Sequence, residues 1–206
     1  MRIRIRRIMV PVFFCLAVAC LIEIPLSETT IFGEAVVLWD TLFRSVAAVP
    51  VLILFYREDA VFRSKPVWNL KTACITAAGG AVSALVLSGL MEVLRIPGYD
   101  AASGSLLAGE RWLQIVVLFV SSPLLEELFF RGVLYQRFKE LVSPAAAGII
   151  TAALFGVFHW NPAQGIYAFL MGLLLAFSME KTQTVKAPVL FHLAANAASF
   201  LAALFL

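Results

Sequence analysis

Charged residues are scarce in this sequence of 206 residues: they make up 14% of the chain, while 62% of the residues are hydrophobic. About one-quarter of the residues in a typical soluble domain are charged. No stretch is polar enough to form a separate soluble domain. The composition therefore predicts an integral membrane protein that uses its whole length, 1–206, as one domain. A net charge of +3 on such a chain does not indicate nucleic-acid binding.

Several common catalytic signatures are missing from the sequence as well. It has no H-E-x-x-H zinc-protease motif, no G-x-S-x-G serine motif, no phosphate-binding loop and no dinucleotide fingerprint. The three cysteines are an odd number and lie in apolar segments, which argues against a disulfide framework. These absences disfavour a serine intramembrane protease and exclude the common nucleotide-dependent enzymes.

Apolar runs of about twenty residues, the length that crosses a bilayer, follow one another along the chain. The predicted fold is therefore all-α, a polytopic transmembrane helix bundle of seven spans, with an eighth span or a re-entrant segment left open. The fifth and sixth spans are not both expected to cross fully. The predicted spans are 8–25, 36–55, 70–92, 112–131, 144–160, 163–180 and 187–205.

The lysines and arginines are distributed unevenly between the two sets of alternate loops. Thirteen of the sixteen fall in the set that includes the amino terminus and the loop 57–68, whereas Arg95 and Arg111 flank the main loop of the other set, 97–110. Because cytoplasmic loops are enriched in Lys and Arg, the amino terminus is predicted to be cytoplasmic. The expected location is the cell membrane of a bacterium or an archaeon.

Three charged residues, Glu126, Glu127 and Arg131, lie within six positions of the apolar fourth span. One charge at the centre of a membrane helix costs about 2.5–3.5 kcal/mol on insertion scales, so these residues must be paired or used. Glu127 and Arg131 have the i, i+4 spacing of a favourable ion pair, which predicts a structural role for both. Glu126 is left without an ionic partner, and such a buried carboxylate is a candidate functional group. Asp40 and Arg44 form a second predicted i, i+4 structural pair.

The two histidines of the chain are predicted to lie at the same membrane depth as Glu126. The fourth span should continue as a helix to a turn at Ser143, which is seventeen residues after Glu126 and sixteen before His159. His192 follows Lys186 by six residues, and Asn196 shares its helix face at i, i+4. If Arg131 marks the membrane boundary, Glu126 lies about 7–8 Å inside it at 1.5 Å per residue, near the cytoplasmic third.

Three chemistries fit a glutamate, two histidines and an asparagine at one level. Glu126 and His159 could activate a water as general base, while His192 and Asn196 stabilise an oxyanion. Glu126 and the two histidines could instead bind zinc. The cluster could also relay protons or ions in a transporter.

Together the three polar segments resemble the CAAX protease and bacteriocin-processing family of intramembrane glutamic endopeptidases, which includes the type II CAAX prenyl endopeptidases. The family motifs are E-E-x-x-x-R, F-x-x-x-H and H-x-x-x-N or H-x-x-x-D, on successive helices. Here they begin at Glu126, Phe155 and His192 and occur in that order. The resemblance covers about residues 110–206, the motif-bearing core of the chain.

This resemblance implies an intramembrane endopeptidase that needs no cofactor or metal. It implies Glu126 and His159 as the water-activating pair and His192 and Asn196 as the oxyanion site, and it leaves Glu127 and Arg131 structural. The implied partners are the lipid bilayer and a membrane-associated protein or peptide substrate, not nucleic acid. Two alternatives are a zinc-dependent intramembrane protease using the same residues and a non-catalytic membrane scaffold or immunity protein.

Overall fold

Seven helices and no strand make up the part of the chain that the structure, a computed structural model, describes, residues 2–96 and 109–205. Most of the predicted outer loop, 97–110, lies outside these residues. The all-α prediction is confirmed, and every predicted span corresponds to one helix. The helices are α1 Arg2–Ser27, α2 Val36–Glu58, α3 Leu70–Val93, α4 Arg111–Phe138, α5 Pro144–Val157, α6 Pro162–Thr182 and α7 Lys186–Phe205.

Six of these helices are long and apolar enough to cross a membrane, and α5 is the exception. With 14 residues it is about 21 Å long at 1.5 Å per residue, shorter than the hydrocarbon core of a bilayer. The chain turns after Val157, and Asn161 begins α6 as its N-cap by accepting bonds from the backbone N–H groups of Ala163 and Gln164. A helix end with satisfied backbone groups is tolerated at membrane depth where it lines a cavity.

Helix α4 is irregular, because two π-helical segments, Val117–Ser121 and Leu128–Tyr135, flank the short α-helical segment Ser122–Glu127. π-helical turns of this kind occur frequently at functional sites. The helix continues to Phe138, and after a turn Ser143 caps α5, as the sequence predicted. Glu126 and Glu127 therefore lie on the regular segment between two distortions, and Arg131 lies on the second distorted segment.

Close backbone contacts between helices depend on glycine at two crossings. A Cβ atom on Gly80 of α3 would lie 2.1 Å from the carbonyl oxygen of Phe191 in α7. A Cβ atom on Gly156 of α5 would lie 2.7 Å from the carbonyl oxygen of Gly165 in α6. Small residues let membrane helices approach closely, so these glycines fix the positions of the two histidine-bearing segments.

One end of the bundle is held by a network of charged side chains, and we call it the basic end. Asp59 and Arg137 are both buried there. Asp59 accepts hydrogen bonds from Arg7 Nη2 at 2.5 Å and from Arg137 Nε at 2.7 Å, and Arg7 also donates to Glu140 at 2.6 Å. Lys139 and Glu180 form a further ion pair at this end. The basic end consists of Arg4, Arg7, Asp59, Arg137, Lys139, Glu140 and Glu180.

Arg131 lies inside the bundle, and α4 continues past it, as the sequence predicted. The Arg131 side chain is completely buried, and α4 continues for seven residues beyond it to Phe138. Glu126 is then roughly 18 Å from Phe138 and 22 Å from Arg111 along the helix at 1.5 Å per residue. It lies near the middle of α4, and its depth in the membrane stays a prediction.

Candidate functional site

A cavity of about 610 Å³ opens between the helices, and the four residues predicted to be catalytic all line it. They are Glu126 on α4, His159 after α5, and His192 and Asn196 on α7. The volume is within the range of about 300–1,000 Å³ that is typical of ligand pockets. Glu127 and Arg131, predicted to be structural, lie behind this wall with fully buried side chains.

Glu126 projects from the short α-helical segment of α4 and has a hydroxyl partner. Ser122 Oγ donates to Glu126 Oε1 at 2.5 Å, one turn earlier on the same helix. This bond orients the carboxylate, and the second carboxylate oxygen, Oε2, takes no part in it. Ser122 was not predicted as part of the site, although its i, i+4 spacing to Glu126 was a usable signal.

Glu127 connects the buried arginine to one of the histidines. Its Oε1 accepts from Arg131 Nη1 at 3.0 Å and from His192 Nδ1 at 2.9 Å. Arg131 also donates to the carbonyl oxygen of Gly172 at 3.2 Å, and its guanidinium lies 4.4 Å from the centroid of the Phe155 ring. The ion pair predicted from spacing is therefore present. The bond to His192, 65 residues away in the chain, had no signal in the sequence.

His159 lies in the turn just after α5, within the bundle. Its Nδ1 is 2.8 Å from the carbonyl oxygen of Phe155, the residue one turn earlier. Since a carbonyl oxygen only accepts, Nδ1 carries the proton, and in the neutral ring Nε2 then has a free lone pair. The ring of Phe155 packs edge-on against both His159 and His192, with centroid separations of 4.9 and 6.1 Å.

Asn196 bonds to a backbone carbonyl that the distortion of α4 exposes. Its Nδ2 donates to the carbonyl oxygen of Leu118 at 2.7 Å. In this π-helical segment the N–H of Ser122 donates to the carbonyl oxygen of Val117, five residues earlier. In the same pattern, the carbonyl oxygen of Leu118 would accept from the N–H of residue 123. That residue is Pro123, which has no N–H to give. Asn196 supplies the missing donor, and one of its two amide hydrogens is used in this way.

Arg44 lies in the cavity wall, a position that the sequence did not predict. The expected ion pair with Asp40 is present, but Arg44 also lines the cavity together with Glu126 and with Glu23 of α1. The cavity wall therefore contains one arginine and two acidic residues outside its histidines. The position of Arg44 could not be predicted, because the sequence does not reveal which face of α2 points inward.

The described residues, 2–96 and 109–205, include no group of three or more His, Cys, Asp and Glu side chains placed to hold a metal ion. They also include no hydrogen bond between Glu126 and His159. Nδ1 of each histidine already faces a protein oxygen, the carbonyl of Phe155 or the carboxylate of Glu127. The two Nε2 atoms remain for a substrate or a water molecule.

The fold and the site thus define a class of protein: an integral membrane protein with a cluster of ionisable side chains inside its helix bundle. Residues 108–198 match the model of a family described as type II CAAX prenyl endopeptidase Rce1-like. The chain is also 30% identical, over 84 residues, to a Bacillus subtilis (strain 168) protein described as "Putative membrane peptidase YdiL". The aligned residues are 41% of this chain and 34% of that relative. No solved structure matches the chain at a significant level.

The matched region contains all three motifs, from Glu126 to Asn196. The resemblance to the CAAX protease and bacteriocin-processing family is therefore confirmed over the motif-bearing part of the chain. The match spans about a third of the length of the curated relative. Its activity, substrate and partners accordingly enter below as proposals for this chain.

Proposed function

We propose that this protein is an intramembrane endopeptidase that hydrolyses a peptide bond of a membrane-associated protein or peptide. In this proposal the whole chain, 1–206, is one peptidase domain. The observation that carries the proposal is the single cavity lined by Glu126, His159, His192 and Asn196. Three separate segments of the chain contribute to it, and the same three segments carry the family motifs.

Glu126 and His159 activate the attacking water in this mechanism. The free oxygen of the Glu126 carboxylate accepts a proton from the water, and Nε2 of neutral His159 accepts the second water hydrogen bond. The bond from Ser122 orients Glu126, and the bond to the Phe155 carbonyl fixes the His159 tautomer. Because Glu126 and His159 do not bond to each other in the described structure, a water molecule can lie between them. General acid–base catalysis of this kind contributes about 10²–10⁴-fold in rate.

Hydrolysis then follows in two steps. The water oxygen attacks the carbonyl carbon of the scissile bond, and its proton moves to Glu126, which leaves a tetrahedral intermediate with a negative oxygen. Glu126 then passes that proton to the amide nitrogen, the carbon–nitrogen bond breaks, and a carboxylic acid and an amine leave. Glu126 is again a carboxylate, so the cycle needs no other reactant.

His192 and Asn196 stabilise the negative oxygen of the intermediate. Asn196 uses its second amide hydrogen, because the first bonds to Leu118. His192 donates through Nε2 in its doubly protonated form, with Nδ1–H held by the Glu127 carboxylate. Glu127 and Arg131 therefore support His192 from behind the cavity wall.

The test is the variant Glu126→Gln. Mass spectrometry of membrane peptides from cells that produce the wild type or this variant identifies a cleaved peptide. That peptide, made with a fluorophore and a quencher, is then assayed in proteoliposomes. We expect cleavage to fall about 10²–10⁴-fold, with little change in membrane abundance and melting temperature, because Glu126 forms no salt bridge with any described residue. A fully active Glu126→Gln protein would rule out the mechanism, and a scaffold role would show as biological activity retained in this variant.

Metal removal separates the proposed mechanism from the zinc-dependent alternative. Glu127 already bonds to Arg131 and His192, so one carboxylate and two imidazole Nε2 atoms remain at the cavity. We expect cleavage in proteoliposomes to survive strong chelators. Stoichiometric zinc in the purified protein, with activity lost on its removal and restored on its return, would support the alternative.

A further inference from the structure

The cavity extends from the catalytic level toward only one end of the bundle. Its lining includes residues near the ends of three helices remote from the basic end: Glu23 of α1, Val37 of α2 and Ala203 of α7. Residues near the opposite ends of these helices, including Tyr56 and Arg7, are not among those that line it. Among the residues that the structure describes, the lining of the cavity thus reaches the half of the bundle that faces away from the basic end.

The basic end is closed by side-chain and backbone contacts between distant parts of the chain. Besides the Asp59 network, the hydroxyl of Tyr56 accepts from the backbone N–H of Val185 at 3.2 Å, and Val67 N–H bonds to the Thr182 carbonyl at 2.9 Å. Between these contacts and Glu126 the side chains of α4 from Leu128 to Arg137 are all buried. A polypeptide that passed here would have to displace the buried Asp59–Arg137 ion pair and these backbone contacts.

We propose that the substrate peptide reaches Glu126 from the half of the bundle remote from the basic end, which the Lys and Arg distribution places on the non-cytoplasmic side. The occupant of the cavity is a polypeptide segment with apolar side chains, drawn from that half of the membrane. The identity of this occupant rests on the proposed peptidase function, whereas the direction of access does not.

The chemistry of the cavity wall fits such an occupant. Leu85 and Phe200 contribute apolar surface, and Glu23 and Arg44 add opposite charges on two neighbouring helices. An extended peptide would present apolar side chains to the first two residues and polar backbone groups to the charged pair.

Single cysteines in a background without Cys15, Cys20 and Cys74 test the direction of access. Ser199→Cys places a thiol on the cavity wall, and Ser64→Cys places one in the exposed loop at the basic end. Leu201→Cys is the matched control on α7, because Leu201 is 52% exposed on the outer surface of the bundle and does not line the cavity. A membrane-impermeant methanethiosulfonate reagent is applied to right-side-out and to inverted vesicles.

We expect Ser199→Cys to react in right-side-out vesicles, Ser64→Cys to react in inverted vesicles, and Leu201→Cys to react in neither because its thiol faces lipid. Reaction of Ser199→Cys from the same side as Ser64→Cys, or from neither side, would overturn the access route. If Ser199→Cys reacts in inverted vesicles and Ser64→Cys reacts in right-side-out vesicles, the non-cytoplasmic assignment is wrong.

A cleavage measurement on the labelled proteins separates this inference from the proposed function. We expect the reagent to abolish cleavage of the quenched peptide by Ser199→Cys and to leave cleavage by Leu201→Cys unchanged. Full cleavage by labelled Ser199→Cys would contradict the route. If Ser199→Cys reacts as expected but no variant cleaves any peptide, the peptidase function fails while the access direction stands.

Discussion

The two halves of this bundle use buried charge in different ways. At the basic end Asp59 accepts from two arginines, and the result is a closed network between α1, α2 and α4. In the cavity half Glu127 also holds an arginine, but its carboxylate has a second contact, to a histidine on the cavity wall. Glu126, one residue earlier, accepts from a serine hydroxyl and forms no salt bridge with an arginine among the described residues.

This difference indicates what a buried acid does in each region. An acid whose oxygens face only arginines stabilises the fold and has no capacity to exchange a proton with a substrate. An acid that faces a cavity and bonds only to a hydroxyl keeps that capacity. Glu127 lies between these cases, because its ion pair stabilises the fold while its bond to His192 positions a residue of the site.

The largest expected effects come from a matched pair of substitutions, Glu127→Gln and Asp59→Asn. Both change a carboxylate to an amide of the same size, and both side chains are essentially inaccessible, at 0% and 1% exposure. Each strands a buried arginine, which costs about 3–5 kcal/mol. We therefore expect both variants to show lower membrane abundance and a lower melting temperature in detergent.

Turnover should separate these two variants. The folded fraction of Asp59→Asn should cleave the quenched peptide at the wild-type rate, because the basic end does not touch the cavity. The folded fraction of Glu127→Gln should cleave it more slowly, because His192 loses its carboxylate partner. Equal turnover in the two folded fractions would contradict the distinction between the two ends.

Asn196→Ala is expected to have the next largest effect. It removes one proposed oxyanion donor, and such donors contribute about 10²–10³-fold in rate. It also leaves the Leu118 carbonyl without its donor, so a stability loss of about 1–3 kcal/mol should accompany the kinetic effect. Asn196→Asp separates the two roles.

The third family motif has a variant, H-x-x-x-D, with an aspartate at this position. The side chain of an aspartate donates a hydrogen bond only when it is protonated. Turnover of Asn196→Asp should therefore fall as pH rises, whereas the turnover of Asn196→Ala should be low at every pH. A pH profile of cleavage in proteoliposomes measures this. Identical profiles for the two variants would show that Asn196 acts through its contact with α4 alone.

The sequence predicted those features of the site that depend on one helix. The Glu127–Arg131 and Asp40–Arg44 pairs followed from i, i+4 spacing, and the glutamate without an ionic partner followed by elimination. The common level of Glu126 and His159 followed from the turn at Ser143. Each of these arguments needs only the geometry of a single helix or a hairpin.

Contacts between helices could not be predicted in the same way. The bonds from His192 to Glu127 and from Asn196 to Leu118 depend on how α7 is rotated against α4. The π-helical segments change the direction of every side chain that follows them on α4.

The smallest expected effect is that of Lys139→Gln, at the exposed margin of the basic end. Lys139 pairs with Glu180, but the two side chains are 20% and 35% exposed, so water screens the pair. Ion pairs of this kind contribute about 0.2–1 kcal/mol. Glu180 also keeps a hydrogen bond from the Tyr135 hydroxyl at 2.9 Å after the substitution. We therefore expect a small decrease in melting temperature that disappears at high salt.

Lys181→Gln is the matched control, because it removes the same charge from a neighbouring position whose ammonium packs over the Phe177 ring. Melting temperatures of both variants in detergent at low and high salt, together with cleavage of the quenched peptide, provide the measurement. Neither substitution should change turnover. A loss of stability in Lys139→Gln as large as that in Asp59→Asn would mean that the exposed margin, and not only the buried acid, holds the basic end closed. The stability losses of Lys139→Gln and Asp59→Asn thus show whether exposed or buried ion pairs hold the basic end closed.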